Sequence, residues 1–214
     1  MARAGLAIVL VLVLALAANA SAGSANPCSR ADTGTTCHGT SGDDDMTTGD
    51  GPDKLYGLGG DDRLSALGGN DYASGGTGDD TIHGGTGSDE LHGGSGQDTI
   101  LGDEHVHAGQ DTIFGGKGGD RLFGLGNRDV IHGGPGNDTI HGGGGRDKSY
   151  GEGGSDTLDD RNEGDYLNGG SGNDTIFTRG GSHQTVVCGS GHDVAEADHE
   201  DTVSSDCEEV IRSG

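Results

Sequence analysis

The sequence predicts an all-β fold, a right-handed parallel β-roll: a solenoid of nine-residue repeats with disulfide-capped ends. Three observations lead there. A glycine–aspartate–aliphatic pattern recurs in a single phase over most of the chain. Glycine supplies 48 of the 214 residues while hydrophobic residues reach 29% and aromatics 3%. The cysteines, Cys28, Cys37, Cys188 and Cys207, fall outside the regular repeats. This composition argues against a conventional globular core, and its polarity alone would leave a chain disordered. Periodicity overturns that default.

The first segment reads as a processing signal. Arg3 is followed by an apolar stretch over residues 6–18, too short to span a bilayer, and then by small residues suited to cleavage. From residue 39 the chain repeats every nine residues, as in GLGGDDRLS, GGTGDDTIH, GGTGSDELH and GGSGQDTIL. The unit GDEHVHAGQDTIF, residues 102–114, carries a four-residue insertion, after which the period resumes with GGKGGDRLF and GLGNRDVIH. The expected organisation is a signal peptide at 1–22, an N-terminal cap at 23–38 and repeat blocks at 39–101 and 115–177 flanking the 102–114 unit. A degraded repeat and C-terminal cap follow at 178–214, where TRGGSHQTV has His183 in place of its aspartate.

Each repeat reads as a turn followed by a three-residue strand. The sixth position is aspartate in every intact unit: Asp44, Asp53, Asp62, Asp71, Asp80, Asp89, Asp98, Asp111, Asp120, Asp129, Asp138, Asp147, Asp156, Asp165 and Asp174. Two residues on stands a branched aliphatic, such as Leu64, Ile82, Ile100, Ile131 or Ile176, with Met46 and Ala73 as substitutes and Ser149 as a defect. Alternation along a strand points that residue inward between two outward neighbours. One strand so short cannot hide its apolar residue, so units must wind and stack, two to a coil of 18 residues.

The pattern GGxGxDxUx resembles the calcium-binding repeat of RTX, or haemolysin-type, proteins, most closely over residues 75–101, 115–123, 133–141 and 169–177. The resemblance implies several calcium ions in the turns between neighbouring coils. The implied ligands are the sixth-position aspartates from Asp62 to Asp174 and glycine-loop groups at Gly75, Gly76, Gly84, Gly85, Gly87, Gly93, Gly94, Gly133, Gly134, Gly136, Gly169 and Gly170. GLGNRDVIH, GEGGSDTLD and DRNEGDYLN depart from the glycine pattern, and weak or empty sites are expected beside them.

Elementary energetics leads to the same ion. Ordering nine residues costs about 1–2 kcal/mol each, whereas one inward Ile or Leu returns about 1.5–3 kcal/mol. Aspartates stacked at the strand spacing of roughly 4.8 Å repel one another. Hard oxygen donors in flexible loops suit Ca2+ better than the smaller, more strictly octahedral Mg2+. Folding and ion binding are therefore expected to be coupled.

The net charge of −24 disfavours nucleic acid and anionic membranes and favours cationic partners. An even number of cysteines in an exported chain favours disulfides. Three pairings are possible, and the most economical joins Cys28 to Cys37 and Cys188 to Cys207, one pair at each end. The histidines after the inward aliphatics, His83, His92, His132 and His141, alternate between sheets and so are not expected to share a metal, while His105 and His107 fall in the insertion. Thr139, Thr157 and Thr175 recur every 18 residues and should form an outward column. The expected protein is a secreted, monomeric, non-enzymatic calcium-binding module with no membrane span after leader removal and an unidentified cell-surface or polysaccharide partner. The alternative is a carbohydrate-active parallel β-helix enzyme.

Overall fold

The computed structural model describes residue 28 and residues 34–103, 109–162, 164–178, 180 and 183–213. The expected signal peptide and the histidines of the insertion lie outside the described residues. Among the described residues there is no helix, and hence none long and apolar enough to cross a membrane.

Among the described residues, two ten-stranded parallel sheets form the fold, with successive strands alternating between them. The first holds β1 (Thr36–His38), β3 (Lys54–Gly59), β5 (Tyr72–Thr77), β7 (Glu90–Ser95), β9 (Thr112–Lys117), β11 (Val130–Pro135), β13 (Lys148–Gly153), β15 (Tyr166–Ser171), β17 (Thr185–Ser190) and β19 (Thr202–Val203). The second holds β2 (Asp45–Thr47), β4 (Arg63–Ser65), β6 (Thr81–Gly85), β8 (Thr99–Asp103), β10 (Arg121–Gly126), β12 (Thr139–Gly144), β14 (Thr157–Asp159), β16 (Thr175–Phe177), β18 (Val194–Asp198) and β20 (Glu209–Ser213). Many strands run past the three residues expected. In β5 and β7 the turn glycines continue the pairing, with Gly76 opposite Gly94.

Register follows the repeat. Leu64 pairs with Ile82 and Ile82 with Ile100, one coil of 18 residues apart. Across the insertion Ile100 pairs with Leu122 and Leu91 with Ile113, so the four extra residues leave the ladder undisturbed. Towards the C-terminus the pairs Leu167–Val186 and Ile176–Ala195 preserve the same inward position.

The core is a double file of inward side chains. Leu55, Leu91, Ile113, Ile131 and Leu167 come from the first sheet and Met46, Leu64, Ile82, Ile100, Leu122, Ile140, Leu158 and Ile176 from the second, all buried. Disulfides tie Cys28 to Cys37 and Cys188 to Cys207, with Cα atoms 5.8 and 5.1 Å apart, the end-local arrangement. Ser149 stands in the file between Ile131 and Leu167, and its buried hydroxyl has no hydrogen-bond partner.

Outside, Thr139, Thr157 and Thr175 pair in register as the outward column expected. The first sheet carries a longer feature: His38, Tyr56, Tyr72, His92, Phe114, His132, Tyr150 and Tyr166 form one continuous column, with ring centroids 4.7 to 5.7 Å apart. Tyr72 and Tyr166 reach in from the seventh position where the ninth is Ser74 or Asn168, so the column skips no coil. His83 and His141 lie on the other sheet.

An unpaired hydroxyl in an apolar file is a stability defect. Ser149→Val is expected to raise unfolding stability by about 1 kcal/mol. A denaturant titration at fixed calcium checks this, and an unchanged or lower midpoint would contradict it.

Candidate metal site

The turns joining the sheets stack into two edges, and every predicted aspartate lies on one of them. Asp44, Asp62, Asp80, Asp98, Asp120, Asp138, Asp156 and Asp174 precede strands of the second sheet, and Asp53, Asp71, Asp89, Asp111, Asp129, Asp147 and Asp165 precede strands of the first. All are buried, with no more than 4% of their surface exposed.

Within each edge the carboxylates are used asymmetrically. Oδ1 of one aspartate accepts the backbone N–H of the aspartate one coil earlier, at 2.7 to 2.9 Å, from Asp44→Asp62 through Asp156→Asp174 on one edge and Asp53→Asp71 through Asp147→Asp165 on the other. Oδ2 of every one from Asp53 to Asp174 has no hydrogen-bond partner. Asp44 differs because Thr40 donates to its Oδ2 through the backbone N–H and the hydroxyl.

The glycines explain where Oδ2 points. A side chain beginning at Gly84 would lie 2.5 Å from Asp89 Oδ2 and 2.7 Å from the Gly102 carbonyl oxygen of the next coil. Gly75, Gly93, Gly133 and Gly169 likewise face the Oδ2 of Asp80, Asp98, Asp138 and Asp174. A carboxylate oxygen and a carbonyl oxygen from adjacent coils therefore converge at these first-position glycines, a place taken by Thr48 and Ala66 in the units of Asp53 and Asp71. Second-position Gly76, Gly85, Gly94, Gly134 and Gly170 have φ between 105° and 121°, and fourth-position Gly87 and Gly136 press on the backbone of Gly69 and Gly118 in the coil below. Leu58, Leu67, Leu125 and Glu152 adopt the same positive φ at the second position without being glycine.

Convergent buried oxygens without a donor call for a cation or a proton. Burial pushes the carboxyls up from their ordinary 3.8, to about 6 at Asp62, Asp89, Asp98, Asp147 and Asp156. Asp71, Asp80, Asp129 and Asp138 rise to about 7 and Asp111 to about 8. Desolvation is the largest cause; the N–H bonded to Oδ1 opposes it, and aspartates on adjacent coils add to it at most positions. The donor set, carboxylate and carbonyl oxygen with no nitrogen or sulfur, suits a hard divalent ion such as Ca2+.

Several residues on these edges escaped the sequence reading. The carboxylate edge continues past residue 177, because Asp174 N–H donates to Asp193 Oδ1. The signal was present in CGSGHDVAE, residues 188–196, where Asp193 and Ala195 hold the sixth and eighth positions. On the other edge His183 is not the substitute for the missing aspartate. The coil holds one extra residue, so Gln184 takes the place, accepting from Asp165 N–H at 2.5 Å and donating its own N–H to Asp201. Asp103 and Asp160, at positions normally held by glycine, are buried with both carboxylate oxygens unpartnered. A further ladder runs along the turn rim with opposite polarity, fifth-position Asp43, Asp61, Asp79 and Asn137 accepting from the coil that follows.

A parallel β-roll with buried, half-satisfied carboxylates stacked along its turns defines a metal-binding solenoid. The sequence model of the RTX calcium-binding nonapeptide repeat, four copies long, matches residues 38–73, 74–104, 106–131, 123–158 and 150–182. The chain belongs to that family, and its repeats form a calcium-binding β-roll module. A search of curated proteins finds no match.

These carboxyls ionise near 3.8 in the unfolded chain but only near 6 to 8 in the roll, so the metal-free folded state binds more protons. Metal-free stability is thus greatest at acid pH and falls as pH rises. In chelator, the β-sheet signal in far-UV circular dichroism is expected to persist at about pH 5 and to be lost at about pH 8. In calcium the dependence is expected to reverse, because protons compete with the ion.

Proposed function

We propose that the chain is an exported structural or adhesive module outside the cell, whose folding and calcium loading are one equilibrium. The observation that carries this reading is the run of buried Oδ2 atoms without partners, on both edges, from Asp53 to Asp174. The ligands in this reading are the sixth-position aspartates from Asp62 to Asp174 together with the turn glycines named above. Each ion would draw on two coils and fasten them together, so the number bound sets how much of the roll is ordered. Extracellular calcium modules work at Kd values of about 0.1–1 mM, and this one is placed in that range.

Two disulfides support a location in an oxidising compartment. An adhesive role rests on the sheet faces, which present regular outward columns of rings on one side and of threonines on the other. The ions therefore serve the architecture, and the faces would serve the partner.

Titrating the mature, oxidised chain with calcium under circular dichroism tests the reading. The expected result is a cooperative gain of β-structure near millimolar calcium, with magnesium far less effective. Asp138→Asn is expected to raise the calcium midpoint roughly two- to five-fold by removing one carboxylate charge from a central coil. Identical β-structure in strong chelator and in calcium at neutral pH would refute the coupling, and product release from pectin or alginate would replace the structural role with an enzymatic one.

A further inference from the structure

We propose that Asp147, Asp160 and Asp165 form the tightest cation site of the roll, a three-carboxylate site that fills with calcium before the others. The inference rests on the calcium reading above and goes beyond it, because the repeat pattern puts glycine, not a carboxylate, at the position of Asp160. The sequence marked DRNEGDYLN as a departure beside which a site would be weak, and the geometry points the other way.

One carboxylate oxygen from each of the three residues lies within 4.8 Å of the others, the one such group of metal-ligating side chains among the described residues. Asp147 and Asp165 are successive members of one edge, linked by the bond from Asp147 N–H to Asp165 Oδ1, so each keeps Oδ2 free. Asp160 opens the turn leading to Asp165. Only 2% of its surface is exposed, neither carboxylate oxygen has a partner, and Oδ2 is aimed at Gly142 on the coil below, where Asp147 Oδ2 also points. At ordinary positions that spot is approached by one carboxylate and a carbonyl, and here a second carboxylate enters it.

No ion pair among the described residues reaches this group. Arg128 and Arg146 lower the Asp147 and Asp165 carboxyls slightly from outside, but burial prevails and all three are raised. Without an ion, Asp160 would stay buried beside two other carboxylates only at the cost of holding a proton. A divalent ion among the three oxygens removes that cost, and the higher ligand charge tightens its binding relative to sites with fewer carboxylates.

The test uses the full mature chain with its disulfides intact, and calcium itself as probe. Equilibrium dialysis against radioactive calcium should resolve one step at least ten-fold tighter than the rest in the wild type. Asp160→Gly restores the glycine of the pattern, and Asp160→Asn keeps the shape while removing the charge. Both are expected to lose the tight step while the weaker steps and the circular dichroism at saturating calcium stay unchanged. A tight step that survives either substitution, or wild-type sites of uniform affinity, overturns the inference and leaves the calcium reading standing. Loss of β-structure in both variants at saturating calcium also overturns it, by making Asp160 a structural residue. A wild type that binds no calcium defeats both.

Discussion

The structure depends on a carboxylate bound on one side only. Along most of the roll a buried aspartate gives Oδ1 to the backbone of the coil before and leaves Oδ2 facing a glycine and a carbonyl oxygen, as Asp138 does beside Gly133. Stacked carboxylates about 5 Å apart repel by roughly 3 kcal/mol per pair at an effective dielectric of about 20. The same backbone bonds that define the coil spacing therefore bring together charges that oppose it. In the proposed reading a divalent ion turns that opposition into cohesion and lets a chain so poor in apolar residues hold two ten-stranded sheets.

Glycine makes the arrangement possible by absence of volume. At first-position glycines such as Gly84 and Gly133 a Cβ would crowd the aspartate five residues on, and at second- and fourth-position glycines such as Gly94 and Gly136 it would meet the backbone of the coil below. The turn edge is thus packed main chain against main chain, with oxygen atoms as its lining. Departures are tolerated where the cost is conformational, as at Leu125 with φ of 78°. Asp160 shows the other kind of departure, in which the side chain brings its own oxygen to the lining beside Gly142.

Much of this was legible before any coordinates. The phase of Asp relative to Gly and to Ile or Leu fixed both sheets, the inward file, the 18-residue coil and the edge on which each carboxylate lies, because those follow from strict alternation and stacking. Three things were not legible. A one-residue slip at residues 183–184 hides Gln184, since a nine-residue frame laid rigidly on the sequence lands on His183. The unit of Asp193 is obscured by Cys188 in a glycine position, although its aspartate and small inward residue keep the frame. Asp160 looks like damage to a turn because one-dimensional patterning says where a residue falls, not which way its carboxylate faces.

The column of rings on the first sheet bears on a difficulty that every self-similar roll faces. Identical coils can mate with any other coil, so the chain has translational degeneracy: a slip by one or two units preserves most backbone bonds and most aspartate contacts. Features that occur once break that symmetry. Native pairing sets Tyr56 opposite Ser74 and Tyr150 opposite Asn168, and the column stays continuous there because Tyr72 and Tyr166 reach in from the seventh position. The ring column recurs in every coil from His38 to Tyr166 and so marks no single alignment, whereas the four-residue insertion of residues 102–114 and the disulfide at each end occur once and do.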